Sequence, residues 1–154
     1  MERTLVLIKP DGVQRGLVGE IVSRFEKKGL KMVACKMMKL EEAVLREHYA
    51  HIADKPFFPG VANFMKSSPV LAMVWEGLEC VEAVRLITGV TKGRTADAGT
   101  IRGDFAMSVS CNVIHTSDTV ENAVKEVARF FNSDELHEYF KSEYEHVYNE
   151  EERA

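Results

Sequence analysis

Cysteine is scarce in this chain, and the three present form no C-x-x-C pair and stand at no zinc-ligand spacing from a histidine. An odd number of isolated cysteines excludes a disulfide framework and points to free thiols in a reducing compartment. Long apolar runs are also missing. The longest near the start, Leu5 to Ile8, is closed by Lys9 and Pro10, and it is too short for a signal-peptide core or a membrane span. A soluble, cytoplasmic protein without a membrane partner is expected. A basic excess is absent too, with 20 Lys and Arg against 24 Asp and Glu, a formal net charge of -4. Non-specific nucleic-acid binding is therefore not favoured by bulk charge, and no specific nucleic acid is expected as a partner. No internal repeat or low-complexity segment divides the chain. At roughly 100–200 residues per domain, residues 1–154 are expected to form a single domain.

What is present suffices for a sizeable core, since 45% of the 154 residues are apolar and a chain of this length buries about 70% of its unfolded surface. Charge is uneven. From Asp134 to Glu152 acids dominate, which reads as a solvated, frayed end, whereas Arg85 to Arg102 is an island of positive charge suited to an anion.

Thr4 to Lys9 reads as a buried strand ending in a sharp Pro10-Asp11-Gly12 turn. A helix is expected over Val18 to Lys28, closed by Gly29, then a strand over Lys31 to Lys39, a helix over Glu41 to Ala50, and a short helix ending at Met65. Val70 to Trp75 reads as a strand, Val81 to Ile87 as a helix, and Thr88 to Ser110 as a long loop without period. A short strand, Asn112 to His115, leads to the strongest helix. There Val120, Ala123, Val124, Val127, Ala128 and Phe131 repeat at helical spacing behind an Asp118 and Glu121 capping box. The order β-α-β-α-α-β-α-β-α predicts an α/β fold, a ferredoxin-like sandwich with a four-stranded antiparallel sheet covered by helices.

Several short motifs carry nothing. Gly89 to Thr95 fails the Walker spacing and follows a helix instead of a strand, and Arg102-Gly103-Asp104 is a chance tripeptide. His48 and His51, three apart with no third ligand evident, read as a solvated face, so no metal site is assigned. His115 is more telling. It closes a strand just before a helix N-terminus, where ligands bind, and a neutral imidazole is a nucleophile. Arg85 and Arg102 offer phosphate clamps, Glu126 lies close to the apolar face of the last helix and can reach the ring, and one of Phe57 and Phe58, beside a proline-bounded turn, offers an exposed ring for base stacking.

Asn112-Val113-Ile114-His115-x-Ser117-Asp118 resembles the active-site signature of nucleoside diphosphate kinases. The match includes Lys9-Pro10-Asp11-Gly12, His48-Tyr49, Pro56 to Gly60, Met73 to Gly77 and Gly99 to Phe105, and runs in register from about Arg3 to Phe131. The resemblance implies ping-pong transfer of a γ-phosphate from a nucleoside triphosphate to a nucleoside diphosphate through a phosphohistidine at His115. It implies that Tyr49 and Glu126 position the histidine, with Ser117 supporting Glu126. It further implies that Lys9 and Asn112 bind ribose and phosphate, that Arg85, Thr91 and Arg102 bind phosphate, and that Phe57 and Val109 flank the base. Mg²⁺ is implied as a cofactor brought by the nucleotide, and a homohexamer, or alternatively a tetramer, as the assembly.

The chain departs from the family pattern at Lys92-Gly93, where Asn-Pro is usual, and at Ala98, Cys111 and Thr116, where Pro, Arg and Gly are usual. A rival reading is a ferredoxin-like nucleotide-binding regulatory module without turnover. An RNA-recognition domain is disfavoured, because the strands lack the alternating aromatics it needs.

Overall fold

The computed structural model describes residues 1–153. Four strands, β1 (Glu2–Ile8), β2 (Lys31–Met38), β3 (Val70–Gly77) and β4 (Ile114–Thr116), form one antiparallel sheet in the order β2-β3-β1-β4. The helices are α1 (Pro10–Gln14), α2 (Val18–Lys27), α3 (Glu42–His48), α4 (Phe58–Lys66), α5 (Cys80–Thr88), α6 (Ile101–Phe105), α7 (Val120–Phe130) and α8 (Tyr144–Val147).

Because side chains alternate across a strand, the apolar run of β1 feeds two cores at once. Leu5 and Leu7 join Leu45, Phe58, Met65, Val127 and Phe130 under α3, α4 and α7. Val6 and Ile8 join Ile21, Phe25, Trp75, Val84 and Ile101 under α2, α5 and α6. A continuous apolar strand is what a sheet covered on both faces requires, and β1, paired with β3 and β4, lies inside it. A one-residue slip would expose the wrong set on both faces, so register is tightly held.

Five local expectations are corrected. The Pro10-Asp11-Gly12 turn opens a short helix, with proline at its first position, where its missing N–H costs nothing. The last strand is Ile114–Thr116 instead of Asn112 to His115, because Val113 has φ 64 and breaks the extended backbone. The long loop contains a 3₁₀ turn at Gly93–Thr95 and α6, which Thr100 caps by accepting from Gly103 N at 2.9 Å. No Asp118 and Glu121 capping box forms. Thr119 is the cap, accepting from Asn122 N at 3.1 Å, and Asp118 accepts from the Asn122 side chain at 2.7 Å. The acidic end is laid against the body instead of frayed. His137 N, the Tyr139 hydroxyl and Lys141 Nζ donate to Val33 O, Met32 O and Leu30 O at 2.7–2.8 Å.

The two lost prolines of the loop differ in consequence. Asp97 to Thr100 close a turn by Thr100 N to Asp97 O at 3.1 Å, with Gly99 at φ 93. This is a type II turn, whose second position favours proline, and that position is Ala98. Ala98→Pro is expected to stabilise the fold by about 0.4–1 kcal/mol by restricting the unfolded chain. Gly93→Pro should do the reverse, since Gly93 N donates to Ser108 O at 3.2 Å and a Cβ there meets Ala106 O at 2.4 Å. Parallel thermal melts check both, and an earlier melt for Ala98→Pro would contradict the turn assignment.

Candidate functional site

The strained backbone beside β4 places the nucleophile candidate. Ile114 N donates to Asn112 O at 2.8 Å across Val113, which has φ 64, and together these define the rare, strained form of γ-turn. A β-branched residue there costs on the order of 1–3 kcal/mol and persists only where its surroundings hold it. The Lys9 to Gly12 segment does so. Lys9 N donates to Val113 O at 2.9 Å, and Asp11 Oδ2 accepts from Val113 N at 3.1 Å. A Cβ on Gly12 would lie 2.9 Å from Val113 O, so only glycine permits this approach. Two residues on, in β4, stands His115.

His115 Nε2 lies 3.1 Å from Glu126 Oε2, and Ser117 Oγ donates to the same oxygen at 2.6 Å. Ser117 is fully buried, and its hydroxyl also accepts from Leu5 N at 3.3 Å. The carboxylate is thus fixed from behind by the sheet. Burial alone would raise the Glu126 pKa, but the bonds from His115 and Ser117 outweigh it and hold it at about 2. Glu126 is an anion at neutral pH.

On the other side of His115 the charge is positive. Lys9 Nζ donates to Asn112 Oδ1 at 2.7 Å, and Asn112 Nδ2 donates to Thr91 O and Val109 O, both at 2.9 Å. Burial, then the nearby Arg102, pulls the Lys9 ammonium down to about 8. Arg102 is buried and donates from Nε to Asn112 O at 3.3 Å, from Nη1 to Gly89 O at 3.0 Å and from Nη2 to Ile114 O at 2.6 Å. Burial and Arg85 lower its pKa to about 10, so it is charged at neutral pH. Tyr49 is pushed up to about 12 by burial and by Glu126, so its hydroxyl keeps its proton.

These groups share one cavity of about 710 Å³. It brings together nine of the eleven residues singled out from sequence, namely Lys9, Tyr49, Arg85, Thr91, Arg102, Val109, Asn112, His115 and Glu126. Ser117 stands behind its wall. Phe57, 58% exposed at the start of α4, is not among the lining residues. An anionic, multiply charged ligand fits the Lys9 to Arg102 side, while His115 faces Glu126 across the middle.

A family model for nucleoside diphosphate kinase matches residues 2–136. The chain belongs to the nucleoside diphosphate kinase family. It is 50% identical over 148 residues to nucleoside diphosphate kinase B of Pongo abelii, spanning 96% of this chain and 97% of that one. To nucleoside diphosphate kinase A1 of Xenopus laevis it is 51% identical over 147 residues, or 96% of each chain. Among solved structures it superposes with a TM-score of 0.94, at 48% identity, on a halophilic nucleoside diphosphate kinase from Halobacterium salinarum in complex with CDP. That alignment covers 96% of this chain and 99% of the other. A nucleoside diphosphate kinase family protein from Babesia bovis gives 0.93 at 42% identity, over 96% and 100%. Nucleoside diphosphate kinases are phosphotransferases, and the α/β fold with its four-stranded sheet is the one they share.

Two features of this cavity escape the sequence reading. His48 does not lie on a solvated face. It is 7% exposed, its ring centroid is 4.4 Å from that of His115, and burial followed by His115 brings its pKa down to about 3. Burial of a helix end under α7 is invisible in a three-residue spacing. Arg129 was not singled out at all, although it stands three residues after Glu126 and so on the same helix face. His48, His115 and Glu126 bring ligand atoms within 4.8 Å of one another. Arg129 Nη1, 3.3 Å from His48 Nδ1, opposes a cation there.

Proposed function

We propose that the protein is a nucleoside diphosphate kinase that works by ping-pong transfer through a phosphohistidine at His115. The observation that carries this reading is the bond between His115 Nε2 and Glu126, in a cavity whose opposite wall is cationic. With the Nε2 proton donated to Glu126, the lone pair of the neutral ring is on Nδ1. In the first half-reaction Nδ1 attacks the γ-phosphorus of a nucleoside triphosphate. The N–P bond forms, the bond from phosphorus to the bridging oxygen breaks, and the diphosphate leaves with that electron pair. The ring becomes positive, and Glu126 offsets the charge. In the second half-reaction a terminal oxygen of another nucleoside diphosphate attacks the same phosphorus and releases Nδ1.

Lys9, Arg85, Thr91 and Arg102 neutralise and align the phosphates, which is most of what phosphoryl transfer asks of a protein. Asn112 joins Lys9 to the loop backbone and meets the ribose. Phe57 and Val109 supply the base slot, and stacking reads no base edge, so base preference should be weak. Mg²⁺, arriving with the nucleotide, would offset the negative charge of the phosphates. Cationic side chains on the phosphate side disfavour a bare metal ion, so no side chain there would hold it and it would be held by the nucleotide. The working assembly is a homohexamer in the cytoplasm. Among the described residues no helix is long and apolar enough to cross a membrane.

Incubation with a triphosphate labelled at the γ-phosphorus tests the reading. Label should become bound to protein, be lost in acid, survive base, and pass to added nucleoside diphosphate. A binding module without turnover would hold nucleotide and take no label, and that result would overturn the proposal.

Lys9 carries a pH dependence with a definite sign. Its ammonium is lost as pH rises through about 8 in the free protein, and phosphate binding favours the charged form. Nucleotide binding should therefore weaken above pH 8 and take up a proton near that pH. Calorimetric titration in two buffers of different ionisation enthalpy measures the uptake, and Lys9→Ala should abolish it.

A further inference from the structure

Arg129 has only donors, so its 3.3 Å contact from Nη1 to His48 Nδ1 fixes that nitrogen as an acceptor. His48 is then a neutral ring with its proton on Nε2. The guanidinium is itself held, since Nε donates to Glu47 Oε1 at 2.9 Å, and its side chain is 15% exposed. His48 in turn packs edge-on against three rings. Its centroid is 4.4 Å from His115, 4.8 Å from Tyr49 and 5.2 Å from Phe130, with interplanar angles of 77°, 78° and 90°.

The placement of Glu126 makes this contact matter. Glu126 Oε1 is 3.9 Å from His48 Nδ1, while Oε2 bonds His115. A lone pair on Nδ1 gives His48 nothing to donate towards Glu126. A proton there would let His48 compete with His115 for the carboxylate and would put a second positive ring 4.4 Å from the one that must receive the phosphoryl group.

We infer that Arg129 is a positioning residue for the phosphoryl transfer: from α7 it occupies His48 Nδ1, and so reserves Glu126 for His115 and braces the nucleophile's ring. The inference rests on the kinase reading above and names how that site is held. Arg129 lines the same cavity, but its side-chain bonds go to Glu47 and His48, and it acts through His48.

Charged and titratable groups meet His48 from each element packed on it. Tyr49 and His51 follow it from α3, His115 faces it from β4, and Glu126 and Arg129 face it from α7. Removing the cation leaves Glu126 as the neighbour that favours a proton on His48. The acid limb of the rate should then move to higher pH.

Arg129→Ala, Arg129→Lys and Arg129→Gln in the full chain test this. Arg129→Ala should lower kcat about tenfold, the scale of a slightly misplaced reacting group, with KM for nucleotide nearly unchanged. Its acid limb should rise by roughly one pH unit. Lysine, which keeps charge and donor, should restore most of kcat and the acid limb. Glutamine should restore part of kcat. Nitrogen chemical shifts of His48 report the tautomer directly, with Nδ1 unprotonated in wild type and mixed in Arg129→Ala. Variants matching wild type in kcat and acid limb overturn the inference. So does a fall in kcat that tracks melting temperature, leaves the acid limb in place and is not recovered by lysine. Failure of the unaltered protein to form phosphohistidine overturns the kinase reading and this inference with it. Normal phosphohistidine with unaffected Arg129 variants overturns this inference alone.

Discussion

His115→Ala should take no label from a γ-labelled triphosphate and should lower transfer by on the order of 10⁴-fold or more, as when a nucleophile is removed from a cooperating set. The fold should survive the change, because His115 belongs to neither buried core and its side chain is 21% exposed. Glu126 keeps its 2.6 Å bond from Ser117, so the carboxylate is not orphaned. Nucleotide binding should persist, since Lys9, Arg85, Thr91, Arg102 and Asn112 are untouched. Calorimetric titration with a nucleoside diphosphate and a labelling assay on the same preparation separate the two properties. Retained labelling at wild-type rate would place the nucleophile elsewhere. Loss of binding together with labelling would make His115 a ligand-binding residue, contrary to the mechanism.

Much of this site was legible in the sequence because its residues lie near the ends of strongly patterned elements. The apolar run Leu5 to Ile8 and the 3.6 period from Val120 announce a strand and a helix, and His115 and Glu126 are fixed relative to them. What the sequence hides is set by contacts distant along the chain. The γ-turn at Val113 depends on Asp11, 102 positions away, and on Lys9 N. No local propensity predicts a β-branched residue at positive φ. α6 is five residues long, too few to display a period, and its cap is a single threonine. His48 is buried by α7, so its spacing to His51 carried no information about its environment. The acidic end misled for a related reason. Its charges suggested solvent, whereas its backbone and the Tyr139 and Lys141 side chains satisfy carbonyls at the start of β2.

Arg102→Lys should be far more damaging than an exchange of one cation for another. On the proposed mechanism Arg102 is a phosphate clamp, whose planar fork lysine cannot reproduce. The structure adds that the fork is already in use, on the carbonyls of Gly89, Asn112 and Ile114. Those three carbonyls belong to the end of α5, the strained γ-turn and the strand bearing His115, so one guanidinium ties the end of α5 to β4. Two of its five N–H groups are left for a ligand. A lysine ammonium can reach about one of these carbonyls, and Asn112 O keeps Ile114 N as a donor, so at least one of Gly89 O and Ile114 O is left without one. At about 1–3 kcal/mol for each buried acceptor left unpaired, a loss on the order of 1–3 kcal/mol is expected. That corresponds to roughly 2–12 °C in melting temperature for a chain of this size. Burial and Arg85 act on the ammonium in the same direction as on Arg102. A lysine starts from an ordinary value near ~10.4, so it should be partly uncharged at pH 8 and the rate should fall further as pH rises. Loss of a preorganised donor at the phosphate adds a rate decrease on the order of 10²-fold. Melting curves and a pH–rate profile for Arg102→Lys test the two halves separately. A lower rate with an unchanged melting temperature would assign the fork to the phosphate alone and make the carbonyl bonds incidental. A lower melting temperature with a wild-type rate would make Arg102 a tie between α5 and β4 and remove it from the nucleotide site.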